Sequence, residues 1–199
     1  MFFFVFDLDG TITKKETLPI IADHFHVNKE IDALTKETVK GNIPFIESFI
    51  RRVGMLSSLP VDEISELIGK VELYPKVHEF ISANKDNCIV ATGNLDCWTK
   101  SIIKKIGCQF FSSEAIVSNN KVKKIQSILK KEALVSELQS KGHKVVFIGD
   151  GNNDVEAMRI ADISIGSGLT HTPSTNVLSI CDYAVFSEEA LCRQLNQLL

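Results

Sequence analysis

Five apolar residues, Phe2 to Phe6, run straight into Asp7 and Asp9, with Gly10 and Thr11 behind them, in the segment FFFVFDLDGTIT. A continuous apolar run this short is the pattern of a strand buried on both faces of a parallel sheet. Such sheets bind their ligands just beyond the carboxyl ends of the strands. The two acids therefore stand where a site is built, although Asp and Gly are also ordinary turn residues.

The rest of the chain fits a sheet of this kind. From Pro75 onward, helical and strand patterns alternate: a helix to about Lys85, a strand at 88–92, helices at 95–106 and from about Lys130 to Lys141, a strand at 144–149, a helix from Val155, and short strands near 163–165 and 183–186. That alternation predicts βαβ units and a Rossmann-like, mainly parallel α/β sheet covered by helices on both faces. Between Leu18 and Val71 the period is helical throughout, with helices expected near 17–26, 29–40, 44–56 and 60–71. Gly41-Asn42 and Pro44 break the second from the third, and Asp62 and Glu63 sit in the first turn of the fourth, where the helix dipole favours them. The expected organisation is an α/β core of residues 1–13 and 75–199, with residues 14–74 inserted as a helical cap over the acidic strand end. Residues 116–125 predict a β-hairpin about Asn119-Asn120, since Asn tolerates positive φ.

Composition narrows the function. The 199 residues carry 22 basic and 25 acidic side chains, a net charge of −3, scattered without a basic face, so neither nucleic acid nor an anionic membrane surface is an expected partner. A small anionic substrate remains compatible, because local fields need not follow net charge. No apolar stretch reaches spanning length, and MFFFVF lacks both the length and the basic flank of a secretory leader. Cys88, Cys97, Cys108, Cys181 and Cys192 are widely spaced and form no Cys-x-x-Cys pair, which predicts reduced thiols in a cytoplasmic protein. Cys97 has no neighbouring base, and His24 and His26 close a cap helix away from the strand ends; neither is expected in the chemistry.

Three strands end in polar residues: Asp7 and Asp9 after the first, Thr92-Gly93-Asn94 after the second, and Asp150-Gly151-Asn152-Asn153-Asp154 after strand 144–149. Parallel strands bring these ends to one edge. Carboxylates packed there repel by about 4 kcal/mol per close pair at an effective dielectric near 20, unless a hard cation is present. All-oxygen ligands of this kind suit Mg²⁺, which favours phosphate substrates.

These residues resemble the four motifs of the haloacid dehalogenase-like hydrolase superfamily, in order and over essentially the whole chain. The resemblance implies that Asp7 is a nucleophile taking a phosphoryl group and that Asp9 is the general acid and base, a sound pairing for hydrolysis through an aspartyl-phosphate. It further implies that Thr92 and the amides after it hold phosphate oxygens, and that Mg²⁺ binds to Asp7, the Asp9 carbonyl and Asp150, with Asp154 supporting the metal or its waters. The third motif is a lysine. Among Lys121, Lys123, Lys124, Lys130 and Lys131, we select Lys131, because Leu134, Val135 and Leu138 give its helix a docking face; Lys130 and Lys124 follow.

Within that superfamily, residues 7–60 resemble the phosphoserine phosphatases. Glu16 stands where an amine-binding glutamate follows the nucleophile, and Phe45 with Arg52 in RRVGML resembles the segment that supplies a carboxylate-binding arginine. A phosphorylated amino acid needs one acid and one arginine for its two charged ends, and arginine grips carboxylates bidentately. Gly93, Asn94 and Asn153 complete the implied substrate contacts. Two positions depart from the pattern: Asn94 replaces a glycine, and Gly10 a serine. The expected activity is an Mg²⁺-dependent phosphatase acting on phosphoserine or a similar small phosphorylated metabolite; the alternatives are a phosphotransferase that uses an acceptor alcohol, and a non-catalytic phosphate-binding regulatory module.

Overall fold

The computed structural model describes residues 1–39 and 42–199. Strand β1 (Phe2–Phe6) lies between β2 (Cys88–Leu95) and β5 (Lys144–Gly149), parallel to both. Beyond β2 come β3 (Gln109–Ser118) and its antiparallel partner β4 (Lys121–Ser127); beyond β5 come β6 (Ile163–Ser167) and β7 (Tyr183–Val185), both parallel. The sheet order is β4-β3-β2-β1-β5-β6-β7.

Alternation along β1 explains its central place. Phe4 and Phe6 join one apolar cluster, with Phe80 and Ile81 of α5 (Pro75–Ala83), Trp98 and Ile102 of α6 (Asp96–Ile106) and Leu191 of α10 (Glu188–Asn196). Val5 points to the other face, among Leu134 and Val135 of α7 (Lys131–Ser140), Met158 of α8 (Val155–Ile160) and Val177 of α9 (Thr175–Leu178). Both faces are thus covered. Each fully buried Phe or Val contributes about 1.5–3 kcal/mol of hydrophobic stabilisation, so a polar residue inside β1 would be costly. Asp7 and Asp9 can appear only once the strand has left the core.

Between β1 and α5 lie α1 (Thr17–His24), α2 (Asn28–Val39), α3 (Phe45–Leu56) and α4 (Val61–Gly69). Their buried residues Ile21, Ile31, Phe49, Leu56 and Ile64 extend the apolar cluster on the Phe4 face. The two connecting segments run side by side, through a bridge between Thr13 and Leu73 and a bond from Lys14 N to Glu72 O at 2.9 Å. Helix α4 lies on α6 so closely that a Cβ on Gly69 would come 2.8 Å from Ser101 Cβ. The β3–β4 hairpin reaches α4 as well. Asn119 and Asn120 both take positive φ, 51° and 59°, as a type I′ turn requires. From that turn Asn120 accepts Val61 N at its carbonyl (2.9 Å) and Asp62 N at Oδ1 (3.0 Å). The first amides of α4 are therefore satisfied by another element.

The expected helices form, most with shorter ends; α2 starts one residue early, at Asn28, and its expected end at Lys40 lies outside the described residues. His26, at φ 59°, stops the chain after α1, and Pro60 precedes α4. Of the break expected at Gly41-Asn42, Gly41 lies outside the described residues. Three expectations need correction. The strand expected to end at Thr92 continues to Leu95, with a register shift beyond Thr92. The hairpin's first strand starts at Gln109 and pairs parallel with β2 before turning, which its half-exposed sequence QFFSS conceals. Helices α9 and α10 were also unexpected. Among the described residues, no helix is long and apolar enough to cross a membrane.

Candidate active site

The carboxyl ends of β1, β2 and β5 meet on one cavity of about 480 Å³. Asp7 N still bonds Ile148 O at 2.8 Å, so its side chain leaves the sheet at a fixed height. From the end of β5, Asp150 reaches the same place and accepts Thr11 Oγ1 at 3.0 Å. Asp154 folds back over the strand end, its Oδ2 accepting the amides of Asp150 (3.1 Å) and Gly151 (3.0 Å). That fold requires glycine at 149, where a Cβ would lie 2.5 Å from the Asp154 carboxylate. Lys131 opens α7, is 3% exposed, and places Nζ 2.6 Å from both Asp7 Oδ1 and Asp154 Oδ1. The rival Lys124 and Lys130 are exposed.

The helical block supplies the other wall. Thr17 N, at the start of α1, donates to Asp9 Oδ1 at 2.7 Å and fixes that carboxylate. Thr92 Oγ1 accepts Asn94 N at 3.1 Å, which leaves its hydroxyl hydrogen to donate. Asn94 spends its side chain locally, giving a bond to Thr17 Oγ1 (2.8 Å) and accepting Leu95 N (2.9 Å); it braces α1 against β2. Gly93 lies under the Phe45 ring, 3.3 Å from where a Cβ would sit. Arg52 is 8% exposed and sits 5.9 Å from the centre of that ring, and its Nε donates to Ser48 O at 3.3 Å. Glu16, Arg52, Gly93, Asn94 and Asn153 all line the cavity. The sequence-selected residues are thus brought together. His24 instead pairs with Glu63 at 2.8 Å on the surface, and burial pushes the Cys97 thiol up to about 11.

Charge crowding perturbs these acids. Burial first, then Asp154, Asp150 and Asp9, hold the Asp7 carboxyl well above the usual carboxylate range, against the pull of Lys131. Burial and Glu16 raise Asp9 to about 6, and burial, Asp154 and Glu16 raise Asp150 to about 8. Burial alone would lower Lys131, but Asp154 and Asp7 reverse this and raise it. Asp7, Asp150 and Asp154 present carboxylate oxygens within 4.8 Å of one another, an all-oxygen set that fits a hard divalent cation. An acid whose folded pKa is raised stabilises the fold below its unfolded value near 3.8 and loses that contribution as pH climbs through about 6 for Asp9 and about 8 for Asp150. A cation replaces the lost protons. The melting temperature gained on adding a divalent ion over EDTA should therefore grow by several degrees between pH 5.5 and 8.5, and Asp150→Asn should flatten that growth. Equal gains at both pH values would contradict the cluster.

Sequence reasoning missed His171. Its Nε2 lies 2.9 Å from Glu16 Oε1 and 3.2 Å from Asp150 Oδ2, and its Nδ1 3.1 Å from Thr172 O. The Glu16 hydrogen bond leads in raising it to about 9. The available signal was β6, a further parallel strand whose carboxyl end feeds residues 168–171 to the same edge. Thr11 and Thr17 were overlooked because hydroxyls carry no distinctive spacing.

Acids, a buried lysine and a hydroxyl are thus gathered at the parallel strand ends. A family model for haloacid dehalogenase-like hydrolases matches residues 3–162, and the chain belongs to that family. Within it, the chain is similar to phosphoserine phosphatases. It is 28% identical over 174 residues to the phosphoserine phosphatase of Methanocaldococcus jannaschii, covering 81% of this chain and 82% of the relative. The phosphoserine phosphatase of Halobacterium salinarum is 25% identical over 208 residues, covering 96% and 95%. A solved phospho-aspartyl intermediate analogue of phosphoserine phosphatase shares the fold, with a TM-score of 0.82 at 21% identity, over 96% of this chain and 97% of the other. A substrate-bound phosphoserine phosphatase superposes with a TM-score of 0.81 at 21% identity, over 99% and 97%.

Proposed function

We propose that this protein hydrolyses a small carboxylated phosphomonoester, phosphoserine or a similar metabolite, with Mg²⁺, through a phosphoryl group carried on Asp7. The observation that carries this reading is Lys131 Nζ held 2.6 Å from both Asp7 and Asp154 at the mouth of β1 and β5. Asp7 attacks phosphorus as the ester oxygen leaves with a proton from Asp9. Water then attacks the same phosphorus, Asp9 takes its proton, and the bond to Asp7 breaks to give inorganic phosphate. A group with a pKa of about 6 can serve both transfers near neutral pH. Thr92 donates its free hydroxyl hydrogen to a phosphate oxygen, and Lys131 neutralises charge on Asp7 and on the transferring group. Mg²⁺ held by Asp7, the Asp9 carbonyl and Asp150 would neutralise phosphate charge. Residues 14–74 act as a cap over the core of 1–13 and 75–199, limiting water until the phosphoryl-enzyme exists. Five free thiols support a reducing, cytoplasmic setting.

Phosphate release from a panel of amino-acid, sugar and nucleotide phosphates with Mg²⁺ tests this reading; no release from any of them would end it. Adding an acceptor alcohol separates hydrolysis from phosphotransfer, since hydrolysis leaves no phosphorylated alcohol. Arg52, buried on the cavity wall, is the group to hold a substrate carboxylate. A charged hydrogen bond contributes about 1.5–3 kcal/mol, so Arg52→Ala should cut kcat/KM for a carboxylated ester by roughly 10- to 150-fold while p-nitrophenyl phosphate falls much less. Equal losses would remove the carboxylate from the substrate.

A further inference from the structure

We propose that His171 sets specificity by occupying Glu16, so that the preferred substrate is a phosphorylated acid with a carboxylate and no ammonium group. This rests on the phosphatase reading above and narrows it. Among the described residues lining the cavity, Glu16 is the one acid apart from Asp7, Asp9 and Asp150. It is therefore the natural partner for a substrate ammonium, and its Oε1 is already engaged. His171 Nε2 meets Glu16 Oε1 at 2.9 Å, while Nδ1 is tied to Thr172 O at 3.1 Å, so the ring is fixed on both sides. The backbone makes room for the pair: Gly10 has φ +73°, and a Cβ there would stand 2.8 Å from Glu16 Oε1 and 3.2 Å from His171 Nε2. Across the cavity, Arg52 is buried with a single bond to Ser48 O and no ion pair among the described residues. Asp9 and Glu16 act on the guanidinium through space without pairing with it, and a substrate carboxylate supplies a hydrogen-bonded partner. An ammonium would have to displace the imidazole and then sit near a guanidinium. Leu18, Pro19, Phe45 and Phe49 complete the wall, and a bare CH₂ meets them without leaving a polar group unpaired.

The test compares phosphoserine, its desamino analogue 3-(phosphonooxy)propanoate and p-nitrophenyl phosphate, using the full chain with Mg²⁺. In the unmodified protein, kcat/KM for the desamino ester should exceed that for phosphoserine by about tenfold or more, a difference of about 1.4 kcal/mol. His171→Ala frees Glu16 and should move the ratio of the two at least tenfold toward phosphoserine, chiefly through KM. His171→Gln, which keeps a donor, should hold the original ratio; a purely structural role would lower both substrates together. A preference for phosphoserine in the unmodified protein, or a ratio unmoved by His171→Ala, overturns the proposal. Release from p-nitrophenyl phosphate separates that failure from failure of the phosphatase reading, in which none of the three esters would react and the inference would fall with it.

Discussion

Asp7→Asn should release no phosphate above background from any monoester, a loss on the order of 10⁴-fold or more. An amide cannot become the phosphoryl carrier, and Thr92, Lys131 and Asp150 have no nucleophile to serve without it. The fold should survive. Asn has the shape of Asp, the backbone bond from residue 7 to Ile148 O is unaffected, and Lys131 keeps Asp154 at 2.6 Å. Removing one of several crowded carboxyls should even raise the melting temperature without metal, because burial and three neighbouring acids hold Asp7 above its usual range. Phosphate release and thermal unfolding on the same preparation check both halves. A variant retaining a tenth of normal turnover would put the nucleophile elsewhere.

Lys131→Ala should damage both stability and rate. Its Nζ is the cation held 2.6 Å from both Asp7 and Asp154, and all three side chains are at most 8% exposed. Removing one member of a buried ionic group leaves the others uncompensated, at a cost of about 3–5 kcal/mol. For a chain of this size that corresponds to roughly 10 °C in melting temperature. Loss of the positive charge beside the transferring phosphoryl group should lower kcat by about 10²- to 10³-fold, as removal of one preorganised donor does elsewhere. A divalent cation should recover part of the melting temperature, since it too neutralises Asp7, and little of the rate. A drop below about 2 °C, measured without metal, would mean that the three groups are not joined in solution.

The fold and much of the site were legible because both depend on strong local signals. Apolar runs ending in acids mark buried parallel strands, and a parallel sheet brings its carboxyl ends together, so Asp7, Thr92 and Asp150 could be grouped before any distance was known. Lys131 was separable from Lys130 because the helix that docks through Leu134 and Val135 turns one of them inward. For His171 the one signal was the carboxyl end of β6, and a single histidine in the loop after so short a strand looks like any surface residue; the Gly10 turn leaves room for it against Glu16. Strand β3 was read too short because its first residues are half-exposed, and the period-2 pattern fades where one face of an edge region meets solvent.

The turn at Asn119-Asn120 divides the four inserted helices unequally. Its two bonds to the start of α4, with the close seat of α4 on α6, make that helix ride with the sheet. Among the described residues, helix α2 rests chiefly on α1 and α3. Thr35 and Thr38 of α2 and Phe45 and Arg52 of α3 line the mouth of the cavity. On the proposed reading, the residue that grips the carboxylate thus sits on the half of the cap that the Asn119-Asn120 turn does not anchor.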